Sequence, residues 1–317
     1  AAIDSVALLG ASLLIYGAGT ASSFQARYAG ADLAEPSARG RSVAVVLVAT
    51  TIGAVAGPLV AQLTGDFAES VGVRALAGPF MLASAAYLLA AIVLWILLRP
   101  DPLLTARELD AANPATLAED DAQVSTSGVR IAVYVMVLTQ MVMVAVMTMT
   151  PIHMKDHHHS LTATGLVIAL HVAAMFLPSP VTGVLVDRYG RRPLIAASAA
   201  TLLAAGLLAA AAPGSSVALL ALALVLLGLG WNFGLVAGTA LITDSTPLSR
   251  RAAIQGRADL FVQLAGAAGG LGSGFIVAGA SYATLSLIGG GVALLMVPVL
   301  FSASTARARA SATKGSR

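Results

Sequence analysis

The sequence has no cysteine and few charged residues. Asp, Glu, Lys and Arg make up 10% of its 317 residues, whereas soluble domains contain about one-quarter charged residues. Without cysteine, neither a disulfide framework nor a cysteine-based metal site can form. The scarcity of charge, together with 58% hydrophobic residues, predicts a protein that lies in a lipid bilayer.

Aromatic residues are also scarce, at 5% of the chain, and the net charge is only +3. A nucleic-acid-binding surface combines clustered basic residues with interleaved aromatic side chains, and no such patch occurs in the sequence. Membrane topology explains the basic residues, so we expect no nucleic-acid partner.

Long stretches without ionisable residues divide the sequence into membrane-crossing units. A helix of about 20 apolar residues spans the hydrocarbon core of a bilayer. Two longer apolar stretches break near residues 213–216 and 279–282. We therefore predict an all-α polytopic membrane protein with nine transmembrane helices, near residues 6–27, 42–64, 76–98, 131–151, 162–184, 193–212, 216–240, 258–279 and 283–303. No positively charged region precedes the first apolar run, which is therefore predicted to be a span and not a signal peptide.

Lysine and arginine predict the orientation, because they concentrate in short cytoplasmic loops. With alternate loops assigned to one side, 16 of the 18 basic residues fall together and only Arg74 and Lys155 fall on the other side. This asymmetry predicts a cytoplasmic C-terminus and an external position for the first residue.

The polar segment at residues 183–192 carries the clearest motif. It resembles the cytoplasmic loop signature of the major facilitator superfamily, written G-x-x-x-D-R/K-x-G-R-R/K. The matching residues are Gly183, Asp187, Arg188, Gly190, Arg191 and Arg192. A plain turn with a positive-inside cluster explains the three arginines but not the glycines and the aspartate at this spacing.

The resemblance implies a helical bundle of twelve helices in two six-helix halves. The Pro-rich, acidic stretch at residues 99–130 is predicted to be the cytoplasmic linker between the halves. Residues 1–98 then form the remainder of the first half, residues 131–303 the second half, and residues 304–317 a cytoplasmic tail. Three spans precede the linker and six follow it, so we expect the sequence to begin at family helix four and to lack the first three.

An internal repeat supports this assignment. The loop from Asp32 to Arg39 recurs from Asp244 to Arg250, and in both copies an arginine follows a proline by three residues. Each loop leads into a Gly-rich helix. The two copies occupy matching positions in the two halves, as internal repeats of transporters do.

A second element, at residues 53–58, resembles the G-x-x-x-G-P signature of drug and proton antiporters in this superfamily. It contains Gly53, Gly57 and Pro58. Small residues spaced by four form a flat helix face, and the proline bends the helix. Two features depart from the pattern: Ala61 and Gln62 replace paired glycines, and the basic residue of family helix four is absent. Generic close packing is the alternative interpretation.

His171 is the one ionisable residue predicted to lie near the centre of a crossing. An imidazole can change charge near neutral pH, so it can carry a coupled proton or donate to a substrate. The alternative is a neutral histidine that is hydrogen-bonded to a neighbouring helix.

The remaining candidates for lining a substrate cavity are Gln25, Gln140, Trp231 and Asn232. The resemblance places them on family helices four, seven and ten, which line the central cavity. Trp231 and Asn232 together offer an aromatic surface and an amide, which suits an amphipathic ligand. For each residue alone, interhelical packing is the alternative.

No metal, cofactor or catalytic site is predicted. The histidines at 153 and 157–159 fall in a short exposed loop around Lys155, which is a poor preformed metal cage. No Asp or Glu is predicted at mid-membrane depth, so the sequence does not indicate a membrane enzyme.

These patterns together predict a secondary transporter in the plasma membrane that exports an amphipathic or drug-like small molecule in exchange for protons or another coupling ion. An uptake carrier for a nutrient or metabolite, and a non-transporting receptor or scaffold, are the alternatives. Three contacts follow from this interpretation. Asp187 should lie near the backbone N–H groups of residues 41–43, Gly53 and Gly57 should face Gly183, and His171 should point into the protein.

Overall fold

The computed structural model describes residues 5–111 and 124–298, and every regular element in these ranges is helical. The first half contains α1 (Val6–Asp32), α2 (Arg39–Leu59), α3 (Ala61–Ser70), a single 3-10 turn (Ala75–Ala77) and α4 (Gly78–Leu97). The linker contains α5 (Pro102–Ala111). The second half contains α6 (Thr126–Asp156), α7 (Leu161–Phe176), α8 (Ser179–Tyr189), α9 (Arg191–Ala211), α10 (Val217–Asp244), α11 (Leu248–Gly279) and α12 (Tyr282–Leu294).

Within the described residues, six helical segments are long and apolar enough to cross a membrane: 78–109, 126–156, 162–189, 191–211, 217–244 and 248–279. They confirm an all-helical membrane protein, but the predicted number of nine is not confirmed. Helices α1 and α2 occupy the first two predicted spans, and α12 begins where the last span was predicted.

Serine residues define where several helices begin. Ser5, Ser125, Ser160, Ser216 and Ser281 precede α1, α6, α7, α10 and α12, and each hydroxyl accepts a hydrogen bond from the backbone N–H three residues later. Each hydroxyl thereby satisfies an amide that has no partner within its helix.

Two predicted spans are interrupted by prolines. The span near 162–184 is divided into α7 and α8 at Leu177 and Pro178. The span near 42–64 is divided into α2 and α3 at Val60, two residues after Pro58. This division agrees with the bend expected from a proline, which lacks the amide hydrogen that a helix requires.

Small residues bring the helices of the second half close together. A Cβ atom on Gly206 of α9 would lie 2.5 Å from the carbonyl oxygen of Ser286 of α12, and one on Gly269 of α11 would lie 2.5 Å from the carbonyl oxygen of Met141 of α6. Only glycine permits such approaches, which are the usual means of packing helices in lipid. The core of this half is centred on Trp231, Leu202 and Leu224, each at most 1% exposed.

The two halves meet where α2 packs against α8 and α7, and where α1 packs against α10 and α11. One end of this interface gathers the connection between α1 and α2, the junction of α8 and α9 at Gly190, and the connection between α10 and α11. We call it the signature end, because it contains residues 183–192.

Candidate functional site

Asp187 lies near the end of α8 and caps the first turn of α2. Its Oδ1 accepts a hydrogen bond from the Gly40 amide (2.9 Å) and its Oδ2 accepts one from the Arg41 amide (3.0 Å). Such amides lack partners within a helix and carry the positive end of its dipole. The predicted contact is therefore confirmed, with the pair of donors beginning at Gly40 instead of Arg41.

The Arg41 guanidinium adds little to this contact. Its Nε lies 3.8 Å from Asp187 Oδ2, but the Arg41 side chain is 60% exposed. Exposed ion pairs are worth about 0–1 kcal/mol. The two backbone hydrogen bonds therefore carry the interaction between Asp187 and α2.

Gly183 and Gly40 allow α8 and α2 to touch. A Cβ atom on Gly183 would lie 2.6 Å from the Gly40 carbonyl oxygen, and one on Gly40 would lie 2.7 Å from both the Gly183 carbonyl oxygen and Asp187 Oδ1. The sequence predicted a close approach at Gly183 but assigned it the wrong partner. Gly40 was missed because it lies between the repeat, which ends at Arg39, and the predicted span, which begins near residue 42; in the structure it belongs to the first turn of α2.

Gly53 does not face Gly183, so that prediction is wrong. A Cβ atom on Gly53 would have no atom within 4 Å, whereas Gly183 contacts the opposite end of α2. The contact forms at the helix terminus because the cap by Asp187 requires α8 there. Gly57 and Pro58 lie on α2, and their surroundings fall outside what the structure describes.

Gly190 and the arginines beside it have different roles. Gly190 ends α8 with a φ of +91°, a conformation that disfavours any residue with a Cβ atom. Arg188 and Arg192 are exposed, as expected for residues that only mark the polar side of the membrane. Arg191 instead points back into the interface between the halves.

Asp244 at the end of α10 holds two guanidinium groups. Arg39 Nη1 donates to Oδ1 (2.9 Å), and Arg191 Nε lies 2.8 Å from Oδ2. Arg191 Nη2 also donates to the Pro36 carbonyl oxygen (3.4 Å). Since Arg39 and Pro36 belong to the first half and Asp244 and Arg191 to the second, this cluster joins the halves.

The internal repeat makes these contacts reciprocal. Asp244 of the second copy contacts Arg39 of the first copy, and Asp32 of the first copy lies 3.5 Å from Nη1 of Arg251, which directly follows the second copy. Each half thus contributes one acid and one base to the other. The repeat was visible in the sequence, but the exchange between its two copies was not.

A third pair is buried between the halves. Arg27 of α1 forms an ion pair with Asp259 of α11, and its side chain is 1% exposed. Arg27 Nε donates to Thr239 Oγ1 (3.1 Å) and Nη2 donates to the Tyr28 hydroxyl oxygen (3.1 Å). The Tyr28 hydroxyl donates to Asp259 Oδ1 (3.4 Å).

Sequence reasoning missed this pair. Arg27 was assigned to a cytoplasmic loop, whereas α1 continues to Asp32. Asp259 was placed at the edge of a span, whereas α11 begins eleven residues earlier, at Leu248. A buried carboxylate therefore lies among the helices, at a position that the sequence had assigned to the edge of a span. One signal was present: Asp259 is the only acidic residue after Asp244.

His171 points into the protein, as predicted. It is fully buried, and its Nδ1 lies 2.7 Å from the Leu224 carbonyl oxygen of α10, while its Nε2 has no hydrogen-bond partner in the described structure. The bond to α10 matches the packing alternative. Both α7 and α10 belong to the second half.

Gln140 and Trp231 form a buried pair. The Trp231 indole Nε1 donates to Gln140 Oε1 (2.7 Å), and the Trp231 ring stands edge-on to Phe176 with centroids 5.5 Å apart. The structure thus brings two of the predicted cavity residues together. Gln25 is exposed on α1 and is not part of this pair.

Asn232 has a structural role that the sequence did not indicate. Its Nδ2 donates to the Met175 carbonyl oxygen and to Ser179 Oγ, both at 2.7 Å, and its Oδ1 accepts from Thr182 Oγ1 at 2.5 Å. These partners flank the break between α7 and α8. Asn232 therefore satisfies backbone and hydroxyl groups where the helix is interrupted.

Comparison with known proteins identifies the family. The family model described as Major Facilitator Superfamily matches residues 1–160 and 131–316. The uncharacterized MFS-type transporter YdeG of Bacillus subtilis (strain 168) is 57% identical over 305 residues, covering 95% of this chain and 71% of that protein. The riboflavin transporter RfnT of Brucella anthropi is 30% identical over 307 residues, covering 94% of this chain and 75% of that protein.

Solved structures show the same fold. The human organic anion transporter MFSD10 (TETRAN) superposes with a TM-score of 0.68 at 20% identity, covering 88% of this chain and 67% of that one. The proton:xylose symporter XylE superposes with a TM-score of 0.64 at 18% identity, covering 88% of this chain and 66% of that one. At these identities the likeness concerns the fold alone. The loop signature, the buried contacts between the halves and the family match together establish that this chain belongs to the Major Facilitator Superfamily of transporters.

Proposed function

We propose that this protein is a secondary transporter that moves a small amphipathic molecule by alternating access. The polar contacts between the halves at the signature end carry the proposal. Asp187 with α2, Asp244 with Arg39, and Asp32 with Arg251 all join the first half to the second. Contacts of this kind at one end of the interface close that end and leave the halves free to separate at the other.

Proton-driven export is the finer proposal. It is supported by the resemblance of Gly53, Gly57 and Pro58 to the antiporter signature, and by the positive-inside pattern, which favours a cytoplasmic position for the signature end. A closed cytoplasmic end is the state in which an exporter releases substrate outside. The basic residue that many antiporters of this branch carry within family helix four corresponds to Leu13 in this sequence, so the coupled proton must bind elsewhere than in those antiporters.

The Gln140 and Trp231 pair is the proposed substrate contact. An indole face and a carboxamide on facing helices suit a ligand with one aromatic and one polar part. The pair is buried, with Trp231 1% and Gln140 7% exposed, so a substrate must exchange its own hydrogen bond for the one between them. His171 lies two turns away along α10, judged by its contact with Leu224.

Uptake is a second candidate function, and the 30% identity to the riboflavin transporter RfnT supplies riboflavin as a substrate with which to test it. Riboflavin is itself a molecule with an aromatic and a polar part. The two candidates differ in the direction in which protons move relative to substrate, and this difference can be measured.

Flux into proteoliposomes tests both functions. The purified protein is reconstituted, and riboflavin and a lipophilic fluorescent cation serve as probes. Proton antiport predicts that a probe accumulates when the vesicle interior is acidic. Proton symport predicts accumulation when the exterior is acidic, whatever the orientation of the protein. Probe binding without flux under either gradient would contradict both and support a receptor or scaffold.

His171→Gln is the matched variant for the coupling step. The described contacts of His171 lie within the second half, so a charge on it has no direct path to the interface between the halves. We expect this variant to keep the response of flux to the pH gradient. A loss of that response would instead make His171 the proton carrier.

A further inference from the structure

Arg27 and Asp259 form a deeply buried ionic contact between the two halves. Their side chains are 1% and 10% exposed, similar to the 4% and 7% of Arg251 and Asp32 and well below the 16% and 28% of Arg39 and Asp244. Breaking one partner of a buried pair leaves a charge without compensation, which is strongly destabilising. The charge state of this pair therefore has a large effect on whether the halves stay together.

The acid in this pair is incompletely satisfied. Asp259 Oδ1 contacts both Arg27 and Tyr28, while Oδ2 is buried and has no hydrogen-bond partner in the described structure. One turn earlier on α11, Gln255 is 5% exposed and its Nε2 also lacks a partner. A buried carboxylate oxygen without a donor has a vacant lone pair, which a proton can occupy.

Two other acids at the signature end, Asp187 and Asp244, are different. Both oxygens of Asp187 accept backbone hydrogen bonds, and both oxygens of Asp244 lie against guanidinium groups. A proton on either acid would have to displace an existing partner. Asp259 alone among these three acids can accept a proton on one oxygen while the other still faces arginine.

We propose that Asp259 is the binding site for the coupled proton, and that its protonation releases Arg27 and opens the signature end. This inference rests on the proposed function, because it names the group that couples transport to protons. A proton from the aqueous phase bonds to Oδ2, and the carboxylate becomes a neutral carboxylic acid. When the halves close again, Arg27 approaches Oδ1 and the proton leaves to water.

The groups facing Asp259 from α1 and α10 favour this cycle. From α1 they are Arg27 and Tyr28, and from α10 the facing group is the non-ionisable Thr239. Asp244, at the end of α10, is paired with Arg39 and Arg191. Arg27 is therefore the cation that responds directly to the charge of Asp259.

The remaining nearby ionisable groups have partners or are exposed. On α11, Arg251 contacts Asp32 and Arg257 is exposed. On α6, Arg130 is exposed and the Tyr134 hydroxyl donates to the Leu295 carbonyl oxygen of the α12 end (3.2 Å). On α5, Arg107 donates to the carbonyl oxygens of Leu248 and Ser249. Tyr282 of α12 shares a hydrogen bond with Thr150 near the opposite end of α6.

The absence of cysteine allows a direct distance measurement. Ser37 lies in the connection between α1 and α2, Ser249 lies in the first turn of α11, and both are exposed. Cysteines introduced at these two positions can be spin-labelled without background, since the chain has no other cysteine. Double electron–electron resonance then reports the separation of the halves at the signature end, and it needs no substrate.

Lowering the pH from about 8 to about 5 should raise the population with long distances about tenfold in the otherwise unaltered protein. Asp259→Asn should show the long-distance population at every pH. Asp66→Asn, which removes an exposed acid on α3, should retain the pH response. The double variant Arg27→Gln/Asp259→Asn leaves no unpaired buried charge, so it should fold even if the single variant does not, and it should be open at every pH.

Three results would each overturn the proposal: distances that do not change with pH in the unaltered protein, a pH response that persists in both Asp259 variants, or a response lost equally in Asp66→Asn. The distances are recorded without substrate. A failure of the proton-site proposal in this experiment can therefore be distinguished from a failure of the protein to transport a probe along a pH gradient. If the signature end opens when the pH is lowered but no probe is transported, the proposed function is contradicted while the assignment of the proton site to Asp259 is retained.

Discussion

At the scale of single residues, the role of each acid at the interface follows from what its two oxygens contact. Asp187 faces two backbone amides, Asp244 faces two guanidinium groups, and Asp259 faces one guanidinium and one hydroxyl. Backbone donors at a helix end are fixed in place, whereas an arginine can leave. Asp187 is therefore suited to positioning α2, and Asp259 is suited to switching.

Replacing Asp187 by alanine tests this distinction. Asp187→Ala removes the cap of α2, and loss of a capping acceptor costs about 1 kcal/mol of stability. We expect a lower unfolding temperature in detergent and a larger open population at the signature end at every pH. Arg188→Ala alters the adjacent exposed residue and serves as the control. Equal behaviour of the two variants would show that the cap does not hold the halves together.

At the scale of helices, a glycine on a helix face allows close packing only where another backbone passes beside it. Gly183 and Gly40 lie at a crossing in which a single added carbon would collide with backbone atoms. Gly53, on the same helix as Gly40, has open space around it. A spacing motif alone cannot distinguish Gly183 from Gly53, because in the sequence each is simply a small residue on a helix face.

Single added methyl groups should therefore have opposite effects at the two positions. Gly183→Ala should destabilise the protein by about 1–3 kcal/mol and reduce transport, because the Gly40 carbonyl must move. Gly53→Ala should leave transport intact and raise stability by up to about 1 kcal/mol through helix propensity. Thermal unfolding and probe flux measure both effects. The crossing would be misplaced if Gly183→Ala were tolerated as well as Gly53→Ala.

At the scale of the whole molecule, the two halves are held at the signature end by contacts that each half supplies to the other. Asp32 and Arg39 come from the first copy of the repeat, and their partners Arg251 and Asp244 lie at the second. Duplicated loops related by a pseudo-twofold axis meet across that axis, so each acid reaches the base of the other copy.

A double-mutant cycle measures this connection. Arg39→Gln and Asp244→Asn remove the two partners of a partly buried pair, so their effects on unfolding should be non-additive by about 0.5–1 kcal/mol. The non-additivity should shrink as salt is added, because screening weakens partly exposed pairs. Arg39→Gln combined with Asp66→Asn should be additive. Additive effects in the first cycle would remove this pair from the forces that close the signature end.

The sequence by itself determined that this is a helical membrane protein of the major facilitator type. Charge-free stretches of bilayer length can fold only as helices in lipid, and the motif at residues 183–192 places a capping acid and a close-packing glycine at one loop. These features are local. They were therefore readable without knowing which helices are neighbours, and so was the inward orientation of His171.

The tertiary structure decided which residues meet. Gly183 contacts Gly40 and not Gly53. Asn232 forms hydrogen bonds at the break between α7 and α8. Arg27 is buried against Asp259, 232 positions away in the sequence. A charged residue next to the predicted end of a membrane span is assigned to a loop unless its ion-pair partner is known. A charge can be buried among helices only when an opposite charge lies beside it. That partner lies on a helix from the other half, so only the assembled interface reveals the pair.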